Sequence, residues 1–230
     1  MILKALYDYY NRCDHLPASG MEEKEIGFVI VISKEGKFVR FEDCRIDNKQ
    51  ARTYLVKKHV GRSSAVAANY LYDNSTYVLG YADTEKAKGD TEQIKKHSDK
   101  ENACFEAFKE KVVSIYKVYP NCNDLAAICK FYQQSKEEIL SCISQDSLWE
   151  DIKKNLSKKY STFSFRIDGD LKIVAEKREL LQLEDSEDEN KGNLLCLITG
   201  NKGTAVDTTT ATMIPGSQAT AKLVSFQVNS

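Results

Sequence analysis

No apolar run in this 230-residue sequence approaches the roughly 18 to 20 residues that a membrane-spanning helix needs. Met1 leads straight into an amphipathic pattern, without the hydrophobic region of a signal peptide. Both absences predict a cytoplasmic protein. The seven cysteines, Cys13, Cys44, Cys104, Cys122, Cys129, Cys142 and Cys196, contain no C-x-x-C pair. Cys122 and Cys129 stand seven apart and His97 has no partner at ligand spacing, so a structural zinc site is not predicted. An odd count, with several cysteines on apolar helix faces, predicts reduced core thiols and not a disulfide framework. Also missing are a P-loop, a G-x-S-x-G elbow, a cluster of histidines with carboxylates, and a Cys–His pair at readable spacing. A nuclease or nucleotidyl hydrolase therefore finds little support. The expectation is a protein with no catalytic activity of its own and no need of a cofactor.

One further absence is local. No acidic residue occurs between Asp47 and Asp73. Inside that gap stand Lys49, Arg52, Lys57, Lys58 and Arg62, interleaved with Tyr54, His59, Ser63, Ser64, Asn69, Tyr70 and Tyr72, in a protein whose formal net charge is only -1. A concentrated positive field in a near-neutral chain points to an anionic partner. The alternative is a solvated lysine-rich loop.

What is present supports a packed core, with 42% hydrophobic residues in 26.0 kDa. Ile2, Leu3, Leu6, Tyr7 and Tyr10 recur at helical spacing until Pro17 and Gly20, predicting a helix packed by one face. Residues 25–32 end in the run FVIVI, and Lys34-Glu35-Gly36 separates them from the alternating stretch 37–42; this is a β-hairpin with a buried first strand. Residues 53–56 are a candidate third strand. The polar stretch 83–98 reads as a connecting loop. Helices are then predicted from Ser98, as N-cap, to Pro120; from an Asn123 or Asp124 cap through Tyr132; over 136–144; and over 147–160, where Trp149 belongs to the core. Phe163, Phe165 and Ile167 alternate as a strand, and Asp168-Gly169-Asp170 reads as a tight turn, not a metal site, after which 171–174 pair back. LLCLITG is predicted as a buried strand, followed by a Thr-rich irregular stretch, 207–217, and an apolar alternation over 223–228. The whole is an α+β protein: a small antiparallel sheet with an N-terminal helix, a helical block, and further strands towards the C-terminal end. Its expected regions are 1–97, 98–160 and 161–230.

The stretch GRSSAVAANYLYDNSTYVLGY, with Arg62, Ser63, Ser64, Asn69, Tyr70, Leu71, Asp73, Asn74, Tyr77, Val78, Leu79 and Gly80 at the matching positions, resembles a motif near the N-terminus of the large subunit of type I-C CRISPR Cascade complexes. MILKALYDYYNR and EEKEIGFVIVISKEGKFV resemble that family's first helix and first hairpin. Later, Cys196 to Gly200, Gln218 and Val224-Ser225-Phe226 match more loosely, with Gln227 where the family has Asn. The resemblance implies that the sequence is an N-terminal portion, the family's C-terminal helical bundle lying beyond Ser230.

It also implies a role: binding double-stranded DNA, recognising the protospacer-adjacent motif, and helping to open the duplex so that guide RNA can pair and an R-loop can start in antiviral defence. Implied partners are the target duplex, the guide RNA with the other Cascade subunits, and a helicase-nuclease recruited after R-loop formation. The DNA-binding candidates are Lys49, Arg52, Lys57, Lys58, Arg62, Ser63, Ser64, Asn69 and Asn74. Lysine and arginine neutralise phosphates, whereas asparagine and serine offer directional contacts to base edges. Asn69 is the first choice for a base contact, with Lys58 beside it. Asn74 has a second reading as a residue that fixes a turn, and Tyr70, Leu71, Tyr77 and Leu79 read as core. A competing role is a non-catalytic scaffold that turns its basic loop to the guide RNA's 5′ handle.

Overall fold

The computed structural model describes residues 2–13, 17–18, 20–62, 66–82, 91–181, 194–196, 200 and 202–203, with side chains in the long helix from 95 onward. Two compact units divide the chain, Pro17–Gln182 and a second made of Met1–Leu16 with Leu183–Ser230. The class is α+β, as expected.

In the larger unit the strands are β1 (Met21–Glu25), β2 (Phe28–Ile32), β3 (Phe38–Asp43), β4 (Thr53–Lys57), β5 (Tyr72–Asn74) and β6 (Thr162–Ile167). The expected hairpin is β2–β3, turning at Gly36, whose φ of 79° suits glycine and whose missing Cβ would meet Lys130 and Phe131 at 2.6 Å. These strands belong to a four-stranded sheet ordered β3-β2-β6-β5. β2 pairs antiparallel with β3 and parallel with β6, and β5 closes the far edge antiparallel to β6. A parallel neighbour needs a long crossover. The helical block between β5 and β6 is part of it. All five β2 residues are fully buried, which explains why FVIVI is apolar without alternation.

Several expectations are corrected here. Residues 53–57 do form a strand, but β4 pairs with β1 in a separate two-stranded ribbon. The first strand of the hairpin starts at Phe28, because Ile26 and Gly27 break the run; a Cβ on Gly27 would lie 2.5 Å from the Tyr160 carbonyl oxygen, to which Gly27 N donates at 3.0 Å. After β6 the chain turns at Gly169, yet 171–174 do not pair back. Leu171 is 93% exposed, and Ile173, Val174 and Ala175 are buried in and beside a 3₁₀ turn (Val174–Glu176) that packs on β6 and β4. β6 already pairs with β2 on one side and with β5 on the other, so the chain buries those three residues instead of adding a strand.

The helices are α2 (Ser75–Val78), α3 (Thr91–Val118), α4 (Asn123–Phe131), α5 (Lys136–Ile143), α6 (Trp149–Asn155) and α7 (Arg178–Leu181). α3 starts seven residues before the predicted Ser98 cap, because its first two turns are helix-forming but polar and show no apolar period. α4 has Cys122 at its N-cap without a side-chain cap bond, and Asn123 and Asp124 lie in its first turn instead. α5 is closed by a capping box between Ser135 and Glu138. α6 is shorter than the predicted 147–160, since Tyr160 is held by Gly27 and its hydroxyl donates to Asn155 Oδ1 at 3.0 Å.

Aromatic side chains fasten the helices to the sheet. Tyr132 meets Phe105, Phe108, Phe131 and Phe165 and donates its hydroxyl to Val78 O at 2.8 Å. Trp149 stacks on Phe41 at 6.0 Å, as a core residue. Each such side chain stabilises the fold by about 1.5 to 3 kcal/mol of buried surface, and ring pairs add about 0.5 to 1.5 kcal/mol.

In the smaller unit, helix α1 (Ile2–Arg12) forms as predicted, but no residue of it is buried, so the expected packing of one face is not observed. Leu194–Leu195 pairs with Lys202–Gly203 as β7 and β8, and both leucines are exposed, in contrast to the buried strand expected of LLCLITG. Two residues give a strand no second face to cover. Residues 197–199 and the stretches 207–217 and 223–228 lie outside the described residues. No disulfide joins the cysteines among the described residues; Cys104 is buried while Cys142 and Cys196 are exposed.

Candidate nucleic-acid interface

The acid-free stretch is spread over the ribbon and the loop that follows it. Lys49 lies in the bend between β3 and β4, exposed, with its backbone N donating to Asp47 Oδ1 at 2.6 Å. Arg52 precedes β4 and stacks on Tyr54 at 5.2 Å. Lys57 ends the strand and Lys58 follows, exposed, its backbone N donating to Gly20 O at 2.7 Å. A five-residue strand is about 17 Å long, so Lys49 and Arg52 are separated from Lys57 and Lys58 by roughly that length. Only the latter pair adjoins the signature.

The loop beyond them is pinned at four points. His59 Nδ1 lies 2.7 Å from Glu22 Oε2 on β1, and Tyr72 donates its hydroxyl to Glu22 Oε1 at 2.9 Å. Burial alone would raise the Glu22 pKa, but the bonds from His59 and Tyr72 more than offset it and leave that carboxyl below its ordinary value. Burial and the same carboxylate push the Tyr72 phenol well up.

Arg62 forms the second pin. Its guanidinium makes a two-pronged contact with Asp73, including Nη1 to Oδ1 at 3.0 Å, donates from Nε to Ala67 O at 2.6 Å, and lies over Tyr77 at 4.0 Å. Asp73 is 2% exposed and also accepts from the backbone N of Asn69 and Asn74, each at 2.9 Å. Burial disfavours the Arg62 cation, yet Asp73 outweighs it and the pKa is raised.

Asn69 is the third. It is 8% exposed and its Oδ1 accepts from Val60 N at 2.9 Å. That bond fixes the amide's orientation, and Nδ2 has no hydrogen-bond partner among the described residues. Leu71, fully buried, adopts φ 62°, the left-handed region that leucine rarely visits, while its carbonyl accepts from Ser164 Oγ at 2.9 Å. The fourth pin is Asn74, the N-cap of α2, whose Oδ1 accepts from Thr76 N and Tyr77 N. This is the turn-fixing role read as its alternative. Tyr70, Leu71, Tyr77 and Leu79 are buried. Ser63 and Ser64 lie outside the described residues.

One cation at the site has no sequence signal. Lys111 of α3 approaches the Tyr70 ring at 6.0 Å from its centroid, and Lys57 lies over the same ring at 4.6 Å. Tyr70 thus joins the strand end and a helix far along the chain.

A second cluster sits elsewhere. Cys122, Asp124 and Glu179 bring ligand atoms within 4.8 Å of one another beside a cavity of about 530 Å³ that Lys34, Lys130 and Lys177 also line. Lys177 already bonds Asp124 and, at 2.6 Å, Asp170. Burial would lower its pKa, but the two carboxylates raise it, so of the three clustered ligand residues Asp124 is already engaged by an ammonium group.

The family described as CRISPR-associated protein (Cas_Csd1) matches residues 6–230. No curated protein matches the chain.

Proposed function

The chain belongs to the CRISPR-associated protein (Cas_Csd1) family, and from that premise we propose that it carries the N-terminal, DNA-reading part of the large subunit of a type I-C Cascade complex, binding double-stranded DNA and recognising the protospacer-adjacent motif at the surface around Asn69. The observation that carries this reading is the Asn69 amide: Oδ1 is held by Val60 N, so Nδ2 is aimed without a partner of its own among the described residues. A fixed amide donor suits the A N3 and T O2 acceptors of the minor groove, whereas a G·C pair presents the G N2–H₂ donor against it, and this separates A·T from G·C pairs. Lys57 and Lys58 beside it supply the sequence-independent hold on phosphates. In this reading Arg62 and Asn74 hold the loop, and Lys49 and Arg52 engage the duplex further along the ribbon.

Contact with the motif nucleates pairing between guide RNA and target, so that an R-loop grows from the motif end and the helicase-nuclease is recruited. No chemical step is assigned to this chain, and it works in the cytoplasm with the other subunits. The test compares Asn69→Ala with Asn69→Asp in the assembled complex on motif-bearing and motif-free duplexes. Asp keeps the acceptor for Val60 N and removes the donor. Both variants should lose about 1 to 3 kcal/mol of motif preference. Retention of preference by Asn69→Asp would make the residue a loop fastener and remove the reading's main support. Displacement of the duplex by handle RNA, with no motif preference at any stage, would favour the scaffold role.

A further inference from the structure

We propose that Lys111 of α3 holds a phosphate of the same duplex, next to the phosphate held by Lys57, so that the DNA surface extends from the ribbon onto the long helix. This rests on the reading of the Asn69 surface as a DNA interface. Lys111 and Lys57 come from elements far apart in the chain and converge on one ring, Tyr70, at 6.0 and 4.6 Å from its centroid. Tyr70 is 6% exposed, so its ring is not an open face on which a base could stack.

The helix gives Lys111 no acidic neighbour. Residues three and four away on either side are Phe108, Ser114, Ala107 and Ile115, the positions at which a helical ion pair would form. Lys109 on the same helix does pair, with Glu106 at 3.8 Å, and Lys153 on α6 pairs with Glu150 at 2.5 Å. Lys111 has no ion pair among the described residues. The site adjoins Asn69, the next residue before Tyr70, which places the phosphate beside the proposed base contact. The bland role for Lys111 is a lid whose aliphatic stem covers Tyr70.

Lys111→Met separates the two, because methionine keeps the apolar stem and drops the charge. In the assembled complex, Lys111→Met should weaken motif-bearing and motif-free duplexes alike, by about fivefold at 0.15 M salt, and reduce the slope of log K against log salt by about one. Lys111→Arg should restore both, with thermal melting unchanged throughout. If Lys57→Met weakens binding and Lys111→Met does not, the inference about α3 is wrong while the interface stands. If neither substitution changes affinity or slope, the DNA-binding reading of this surface fails as well. A loss in Lys111→Met that appears only with a lower melting temperature, and that Lys111→Arg does not restore, would make Lys111 a packing residue.

Discussion

Replacing Arg62 by alanine should act on stability before it acts on DNA. Its partner Asp73 is 2% exposed, so the substitution strands a buried carboxylate. Removing one partner of a buried pair costs about 3 to 5 kcal/mol in general. Here Asp73 keeps two backbone donors, from Asn69 and Asn74, and the Arg62 side chain is 24% exposed, which brings the expected cost to about 2 to 3 kcal/mol. Loss of the contact with the Tyr77 ring adds about 0.5 to 1 kcal/mol. The sum, about 3 kcal/mol, corresponds to a fall in Tm of roughly 6 to 12 °C for a unit of this size. Urea unfolding of Arg62→Ala, Asp73→Asn and the double variant measures the pair directly, and the cycle should return a coupling of at least about 1 kcal/mol. Well below the lowered Tm, Arg62→Ala should bind duplex far better than Lys57→Ala. A change in stability below about 0.5 kcal/mol, together with lost duplex binding, would refute this assignment and make Arg62 a direct DNA contact.

Asn74→Ala should cost about 1 kcal/mol by uncapping α2, with Asn74→Asp close to neutral, as read by urea midpoints. The Glu22 carboxyl titrates lower in the folded protein than in the unfolded chain, so its contribution is complete above about pH 4.5 and is lost as pH falls through the lowered folded value; Glu22→Gln should flatten stability against pH in that acid range. Gly36→Ala should destabilise by more than about 1 kcal/mol, since it adds a Cβ at 2.6 Å from Lys130 and Phe131 in a left-handed backbone conformation. Incubation of the purified protein with labelled DNA, RNA or nucleotides and divalent metals should leave all of them intact; cleavage abolished by a single carboxylate substitution would overturn the non-catalytic reading.

The β2–β3 hairpin is legible in the sequence because FVIVI, a glycine turn and an alternating partner leave few alternatives. The ribbon is not, because β1 is MEEKE, four of its five residues charged, and it becomes a strand only by lying against β4. The polar start of α3 shows the same limit: a solvated helix has no apolar period to read. At the site, residue types were readable and their engagements were not. Arg62 looks like one of five equal cations until Asp73, eleven residues on, takes it. Glu22, which ties His59 and Tyr72 together, lies outside the acid-free stretch. Lys111 reaches Tyr70 only through the packing of a distant helix. Periodicity reports faces and spacing, and these contacts follow from neither.

The central claim is tested most directly by determining the structure of the assembled complex on a motif-bearing duplex. The account predicts Asn69 Nδ2 within about 3 Å of a minor-groove base acceptor, with Lys57, Lys58 and Lys111 on adjacent phosphates. A duplex that lies away from residues 57–74, or a groove that meets this surface with Asn69 still turned from every base, would contradict it.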